Sequence, residues 1–564
     1  MKVNIMRLGF LKREGMAYFF LFLILIASVV SYCWVPRIFF LQDELMTFGL
    51  FIQRGSRIVL VGLSASNIPH FVPISMSLLY LTYSLFGFNY FAFNYLGLSL
   101  HFINGILVYF IARKIFKNII TTLLSVLVFI SSSVAAELLM WPVININVIS
   151  LTFSLLAWLA VIDNNFLKNI KGYFRMAIIA ILFLLSLFSV EYSAGFVLVI
   201  PVTYCLLNSG KIKLKLIRLS PFILASFIYF IFRIILIVGN RGLLPVSAIG
   251  ETPVYFRWIV LIPRYFGQLF FGQPIILFIS RLIGKITGPT YGFDLYIETK
   301  VFPLVAFYLG IVIIAVSVFI YRKFKKVGKI YSDMFLLIIL LVASSSLPFL
   351  LVPGQASSLA IFSSRYMYFG LVGLALYFGF INDYFLETRK TKGLIVVLGL
   401  VALLVISGTV GNYQKGKSLF QIGQLRLNII RSIESSISII PQKLIIYTES
   451  DKSYYGLPAE EKTLPFQSGF GQTMLVFLNQ KGKFPKEFFP GDYLWDIKSQ
   501  GYKEFQGRGF GYFRNFDMMV KVIEEYKLEK ESVIAYRFES SSNTLIDITK
   551  EVRAKIGTEV LKNK

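Results

Sequence analysis

Residues 16–35 read MAYFFLFLILIASVVSYCWV, twenty residues without one charged side chain. A helix needs about 20 mostly apolar residues to cross a bilayer. Runs of the same kind recur at 91–111, 119–136, 149–162, 176–190, 193–207, 219–238, 302–321, 334–352, 367–385 and 394–410. Serial blocks of spanning length are foreign to a soluble core, whose apolar residues come in short periodic patches. The composition agrees: 56% of the 564 residues are hydrophobic and 16% aromatic. The first run is too long for a signal-peptide core and lacks a small-residue cleavage site, so it is expected to be retained. The net charge is +26. Residues 1–410 hold 33 Lys and Arg against 12 Asp and Glu, much of the excess in short loops between apolar runs. The clusters are Arg113-Lys114 with Lys117, Lys168 to Arg175, Lys211 to Arg218, Arg322 to Lys329, and Arg389 to Lys392. Such clusters at helix ends mark cytoplasmic loops. They fall on alternate turns of the chain, which predicts an N-terminus inside, eleven crossings and a C-terminal part outside. Their position also points to membrane lipids, and not nucleic acid, as the partner of the basic charge. Cys33 and Cys205 lie in apolar runs and match no zinc, redox or disulfide spacing.

Two stretches interrupt the helix pattern. Residues 37–88 are expected on the outer side, with the apolar segment 71–87 lying in the interface. Residues 239–300 mix Pro, Gly, Arg and aromatic residues and read as an irregular outer loop, with Arg257 and Arg264 available to lipid headgroups. After Val410 the sequence turns charged, near-balanced and rich in turn residues. Residues 443–448 (KLIIYT) and 533–538 (VIAYRF) read as strands, and 472–479 and 518–526 as helices. The expected fold class is mainly α. A polytopic transmembrane helical domain fills residues 1–410, and an extracytoplasmic α/β domain follows over 411–564.

Ionisable groups near the membrane are costly to bury, so each one is a functional candidate. The acids expected on the outer side include Asp43, Glu44, Glu137 and Glu191. Asp43 and Glu44 stand side by side directly after the first run, in PRIFFLQDELMTFGLFIQRG. Acids there also suit the start of a helix.

The segments around these acids resemble, in order, those of the GT-C integral-membrane glycosyltransferases. That superfamily includes protein O-mannosyltransferases and bacterial transferases that use polyprenyl-phosphate sugars. An acidic pair after the first helix is one of its features. Residues 70–94 (HFVPISMSLLYLTYSLFGFNYFAFN) are similar to its H-x-R-P-L-x-x-L-L-Y…L-F-G-x-N segment. LGLSLHFINGILVYFIARKIF, with His101 and Asn104, resembles the helix that follows. AAELLMW, with Glu137 and Trp141, and SVEYSAGFVLVIP, with Glu191 and Pro201, resemble two further outer elements. FSSRYMYFGLVG resembles the E-R-Y-L-Y-L-x-x-V-G signature, with Arg365 in place. Val72, Val190 and Ser364 stand where the superfamily has Arg, Lys and Glu.

The resemblance implies transfer of a sugar from a polyprenyl-phosphate donor to an acceptor outside the cytoplasm. The acceptor, whether protein, lipid or glycan, is not specified by the sequence. A lipid phosphate leaves without an acid's help, so one carboxylate base suffices. Paired carboxylates of the glycosidase kind are not required. A single displacement inverts the anomeric carbon. The superfamily pattern assigns the base to Asp43, with Glu44 as the alternate or as the residue that orients the loop. Charge grows on the leaving phosphate, so cations aimed at it lower the barrier. Arg365 is the candidate phosphate ligand, with Arg233 deeper and able to support a helix. His70 is a candidate hydrogen-bond donor to sugar or phosphate, and Glu137 and Glu191 complete the outer set. His101, mid-helix with Asn104 three residues on, is expected to make an interhelical hydrogen bond. No metal and no cofactor are expected, because two isolated histidines and scattered acids give no ligand spacing. A transporter or flippase of lipid-linked saccharides is the alternative. Such proteins show inverted repeats, and no half-to-half correspondence is visible here.

Overall fold

The computed structural model describes residues 2–41, 43–61, 72–163, 166–167, 170, 172–208, 211–239, 254–289, 293–347, 364–437, 440–454, 457–467, 469–479, 484–489 and 499–562. His70 lies outside the described residues, as does the side chain of Arg257. Among the described residues nine helices are long and apolar enough to cross a membrane. Shorter apolar helices span Pro73–Phe86, Tyr173–Leu187 and Glu191–Leu207. Local chemistry sets several helix starts. The Asn89 side chain accepts from Phe91 N at 3.1 Å and the Asn118 side chain from Ile120 N at 2.8 Å.

The helices are fastened by polar groups buried between them, where lipid offers no partner. His101 Nδ1 pairs with the Tyr368 hydroxyl at 2.8 Å, and Asn104 Nδ2 donates to Val148 O at 3.0 Å. The histidine thus makes the expected interhelical bond. Ser154 meets Ser186 at 2.7 Å, and Asn382 Nδ2 donates to Thr121 Oγ1 at 2.9 Å.

The stretch expected to be irregular is largely helical. Val254–Thr287 forms one helix with a kink at Gly272, whose φ of 71° opens the break beside Ser133. Pro263, Gly267, Gly272 and Pro274 disguise it in sequence. The same small residues let it cross Phe302–Val327 at backbone contact, Gly267 against Ala306 and Gly310 against Pro263. Arg264 is accordingly buried, 8% exposed, inside this helix and not in a loop. The Pro73–Phe86 helix docks on the end of Gly172–Leu187 remote from Arg175, with Ser75 Oγ donating to Ser189 O at 2.9 Å.

The basic loops collect at one end of the bundle. Lys114 pairs with Asp163 at 3.0 Å and Lys117 with Glu387 at 3.2 Å. Tyr331, after the Arg322 to Lys329 cluster, donates to Glu387. The other end carries Asp43, Glu137, Glu191 and Arg365.

The helix Thr391–Ser436 is continuous through position 410, so the change of composition falls inside one element. Its 46 residues extend about 69 Å at 1.5 Å per residue. About 20 residues suffice for a bilayer. The remainder carries a five-stranded sheet in the order β2-β3-β1-β4-β5. The strands are β1 (Lys443–Ser450), β2 (Gly501–Phe505), β3 (Arg508–Phe513), β4 (Val533–Glu539) and β5 (Thr544–Asp547). β3, β1 and β4 are parallel, and hairpins add β2 and β5 antiparallel. One sheet face joins the main core, where Phe477 of the helix Phe470–Asn479 packs on Phe39 and Phe88.

Candidate functional site

Asp43 immediately precedes the helix Glu44–Arg54, which forms because Leu45, Phe48 and Phe51 share one buried face. Asp43 occupies the cap position, but its side chain makes no capping bond, while its backbone carbonyl accepts from Thr47 N at 2.9 Å. The helix therefore does not use the carboxylate. The residue is half-buried. Burial raises its pKa above the usual carboxylate range, and the nearby positive charge of Arg365 acts in the opposite, weaker sense.

Arg365 lies in the single turn Ser364–Met367 that starts the helix Tyr368–Glu387. Its guanidinium carbon sits 5.2 Å from the centre of the Trp141 ring and 4.8 Å from that of Tyr366. It donates to the Tyr366 hydroxyl at 3.0 Å, and its Nε has no hydrogen-bond partner among the described residues. Among the described residues no carboxylate pairs with it within 4.0 Å. Aromatic faces hold this cation. Tyr366 is itself steadied edge-on by Tyr192 at 5.2 Å.

Ser364 donates to Glu137 Oε2 at 2.8 Å. Glu137 in turn exerts its charge on Lys415 of the long helix. Lys415 is exposed; the protein around it lowers its pKa and the charge of Glu137 acts in the opposite sense. The sequence did not mark it, because it stands beyond the last apolar run. Its only signal was small or short residues at Gly408, Asn412 and Gly416, all buried on the adjoining face of a helix that continues past the membrane stretch. Glu191 is half-buried and its charge acts on Tyr192 and Tyr229, and that of Arg233 acts on Tyr229.

Glu44 parts company with its neighbour. It is fully buried, and its charge acts on Arg426. Arg426 donates to Leu41 O and Pro465 O, tying the Asp43 loop to the C-terminal domain. Among the described residues no three His, Cys, Asp or Glu side chains gather as a metal site would need.

No family model and no curated protein matches the chain. Solved structures similar to it include AglB, the archaeal oligosaccharyltransferase of Archaeoglobus fulgidus, in complex with an inhibitory peptide and a dolichol-phosphate (TM-score 0.34, 11% identity, 76% of this chain and 62% of that one). A second structure of that species' oligosaccharyltransferase, tethered to an acceptor peptide, gives TM-score 0.35 and 12% identity over the same shares. ArnT of Cupriavidus metallidurans, bound to undecaprenyl phosphate, gives TM-score 0.34 and 12% identity over 82% of this chain and 85% of that one. These neighbours are GT-C membrane glycosyltransferases. The chain spans 62% of the length of the first two.

Proposed function

We propose that the chain is a membrane glycosyltransferase that moves a sugar from a polyprenyl-phosphate donor to an acceptor outside the cytoplasm. The observation that carries this reading is a half-buried carboxylate, Asp43, that feels the positive charge of Arg365, a guanidinium held by two aromatic rings and with no carboxylate within 4.0 Å among the described residues. Asp43 takes the proton of the acceptor hydroxyl as that oxygen bonds to the anomeric carbon. The bond from that carbon to the phosphate oxygen breaks, and its electron pair leaves with the lipid phosphate. Inversion follows from the single displacement. Arg365 accepts the growing phosphate charge through its fork, and Lys415 supplies a second positive charge. Glu137 positions Ser364, and through it Arg365. Glu191 and Arg233 support the aromatic pair, and His70 hydrogen-bonds sugar or phosphate. Glu44, held to Arg426, orients the Asp43 loop. No metal enters the scheme.

The test is transfer from radiolabelled polyprenyl-phosphate sugars in membranes that contain the chain. Labelled product that depends on the chain is the expected result. Movement of lipid-linked saccharide across the bilayer with no transfer from any donor would establish a carrier in its place.

A further inference from the structure

In the C-terminal domain the chain leaves two neighbouring parallel strands toward opposite faces of the sheet. β1 leads to the helix Phe470–Asn479, which shares a core with Leu444 and Ile446. β3 leads to the helix Phe516–Glu525, which packs with Ile445 and Tyr447 on the other side. Strand order requires this. The step from β1 to β3 goes one way and the step from β3 to β4 goes back across β1. Right-handed crossovers in opposite directions place their helices on opposite faces. Where following segments part in this way, a crevice opens beyond the carboxyl ends of the strands, and open α/β sheets bind ligands there.

The crevice is present. A cavity of about 620 Å³ lies at that edge, lined by the last residues of β1, from Tyr447 to Ser450, and by Arg514 and Asn515 directly after β3. Its volume falls within the range of about 300–1,000 Å³ common to small-ligand sites. It shares no residue with the Asp43 and Arg365 group.

The lining selects the ligand class. Glu449 is neutralised by Arg537, Nε to Oε2 at 2.8 Å. Glu460 and Glu461 balance Lys462 and Arg514, while Thr448, Ser450, Gln500 and Asn515 add hydroxyl and amide groups. Gln500 Oε1 accepts from the backbone N–H of Arg514 at 2.9 Å and of Asn515 at 3.0 Å, which fixes the rim after β3. Two carboxylates on the loop after β1 repel a polyphosphate, whereas alternating donors and acceptors without net charge suit a polyol. We propose that this crevice binds a neutral saccharide.

The test uses the full chain in lipid nanodiscs, titrated with maltotriose, mannotriose and chitotriose, and separately with pyrophosphate, followed by saturation-transfer NMR. At least one trisaccharide should bind saturably. Ser450→Trp, which fills the crevice, should abolish that binding. Glu460→Ala, at an exposed position, should weaken it at least tenfold with an unchanged unfolding temperature. The assay reads binding alone, so its outcome is independent of the transferase proposal. Binding of none of the three sugars, equal affinity in both variants, or binding of pyrophosphate in their place would overturn it.

Discussion

Asp43 and Glu44 show how far one residue of chain can separate two acids. Glu44 is sealed beside Arg426, while Asp43 stays half-open and feels Arg365. Burial lifts the Asp43 pKa and the guanidinium pulls part of that back. The proposed reaction needs the carboxylate, so kcat/KM should climb with pH along a limb lying above the ordinary aspartate value of about 3.9. Arg365→Ala removes the influence that lowers the pKa. The limb should then move to higher pH, and donor affinity should fall about ten- to a hundredfold, as loss of a charge-assisted hydrogen bond implies. Arg365→Lys keeps the charge without the fork or the stacking and should fall between the two. A pH–rate series on the three proteins reads this directly. A limb that stays in place or moves to lower pH in Arg365→Ala would separate the two residues functionally.

At the scale of elements, the helix Thr391–Ser436 joins the membrane bundle to the C-terminal domain through glycines on one face. A Cβ on Gly423 would meet Phe39 N at 2.9 Å, and one on Gly416 would meet Trp34 Cβ at 3.2 Å. Both contacts lie on the segment that leads into Asp43. Gly423→Ala should therefore destabilise the protein by about 1–3 kcal/mol, as overpacking does. Gly399→Ala, on the same helix with nothing within 4 Å, should leave the unfolding temperature level or slightly raised. Thermal unfolding in nanodiscs distinguishes the pair, and equal shifts would contradict the close packing. The legibility of the fold follows the same physics. Runs such as 16–35 and 91–111 were plain because lipid demands unbroken apolar length, and KLIIYT and VIAYRF were plain because buried strands favour β-branched and aromatic residues. The helix Val254–Thr287 was hidden, since its close crossing uses the glycines and prolines that otherwise mark loops. In the site, Asp43, Glu137, Glu191 and Arg365 stood out as rare charges in apolar surroundings. Lys415 and Arg426 did not, because charged residues are common after Val410 and their partners lie hundreds of residues away.

On the scale of the whole molecule, charge is sorted between two ends. The Lys114, Lys117, Asp163 and Glu387 contacts gather the basic loops at one end, and the Asp43 group occupies the other. The excess of Lys and Arg in the short loops predicts that the first end faces the cytoplasm. Single cysteines placed near Lys325 and near Ser450, with Cys33 and Cys205 replaced by serine, should respond oppositely to a membrane-impermeant thiol reagent in intact cells. Labelling is expected near Ser450 and protection near Lys325. The reverse pattern would put Asp43 on the cytoplasmic side, away from an external acceptor.

The most direct test of the transferase reading is Asp43→Asn, measured for donor binding and for product formation in the same preparation. The amide keeps the size and polarity of the side chain and removes the base. Donor affinity should hold, since Arg365 and Lys415 remain. Turnover should drop by about 10² or more, the contribution of a positioned base. Product formation near the wild-type rate with intact donor binding would show that Asp43 is not the base.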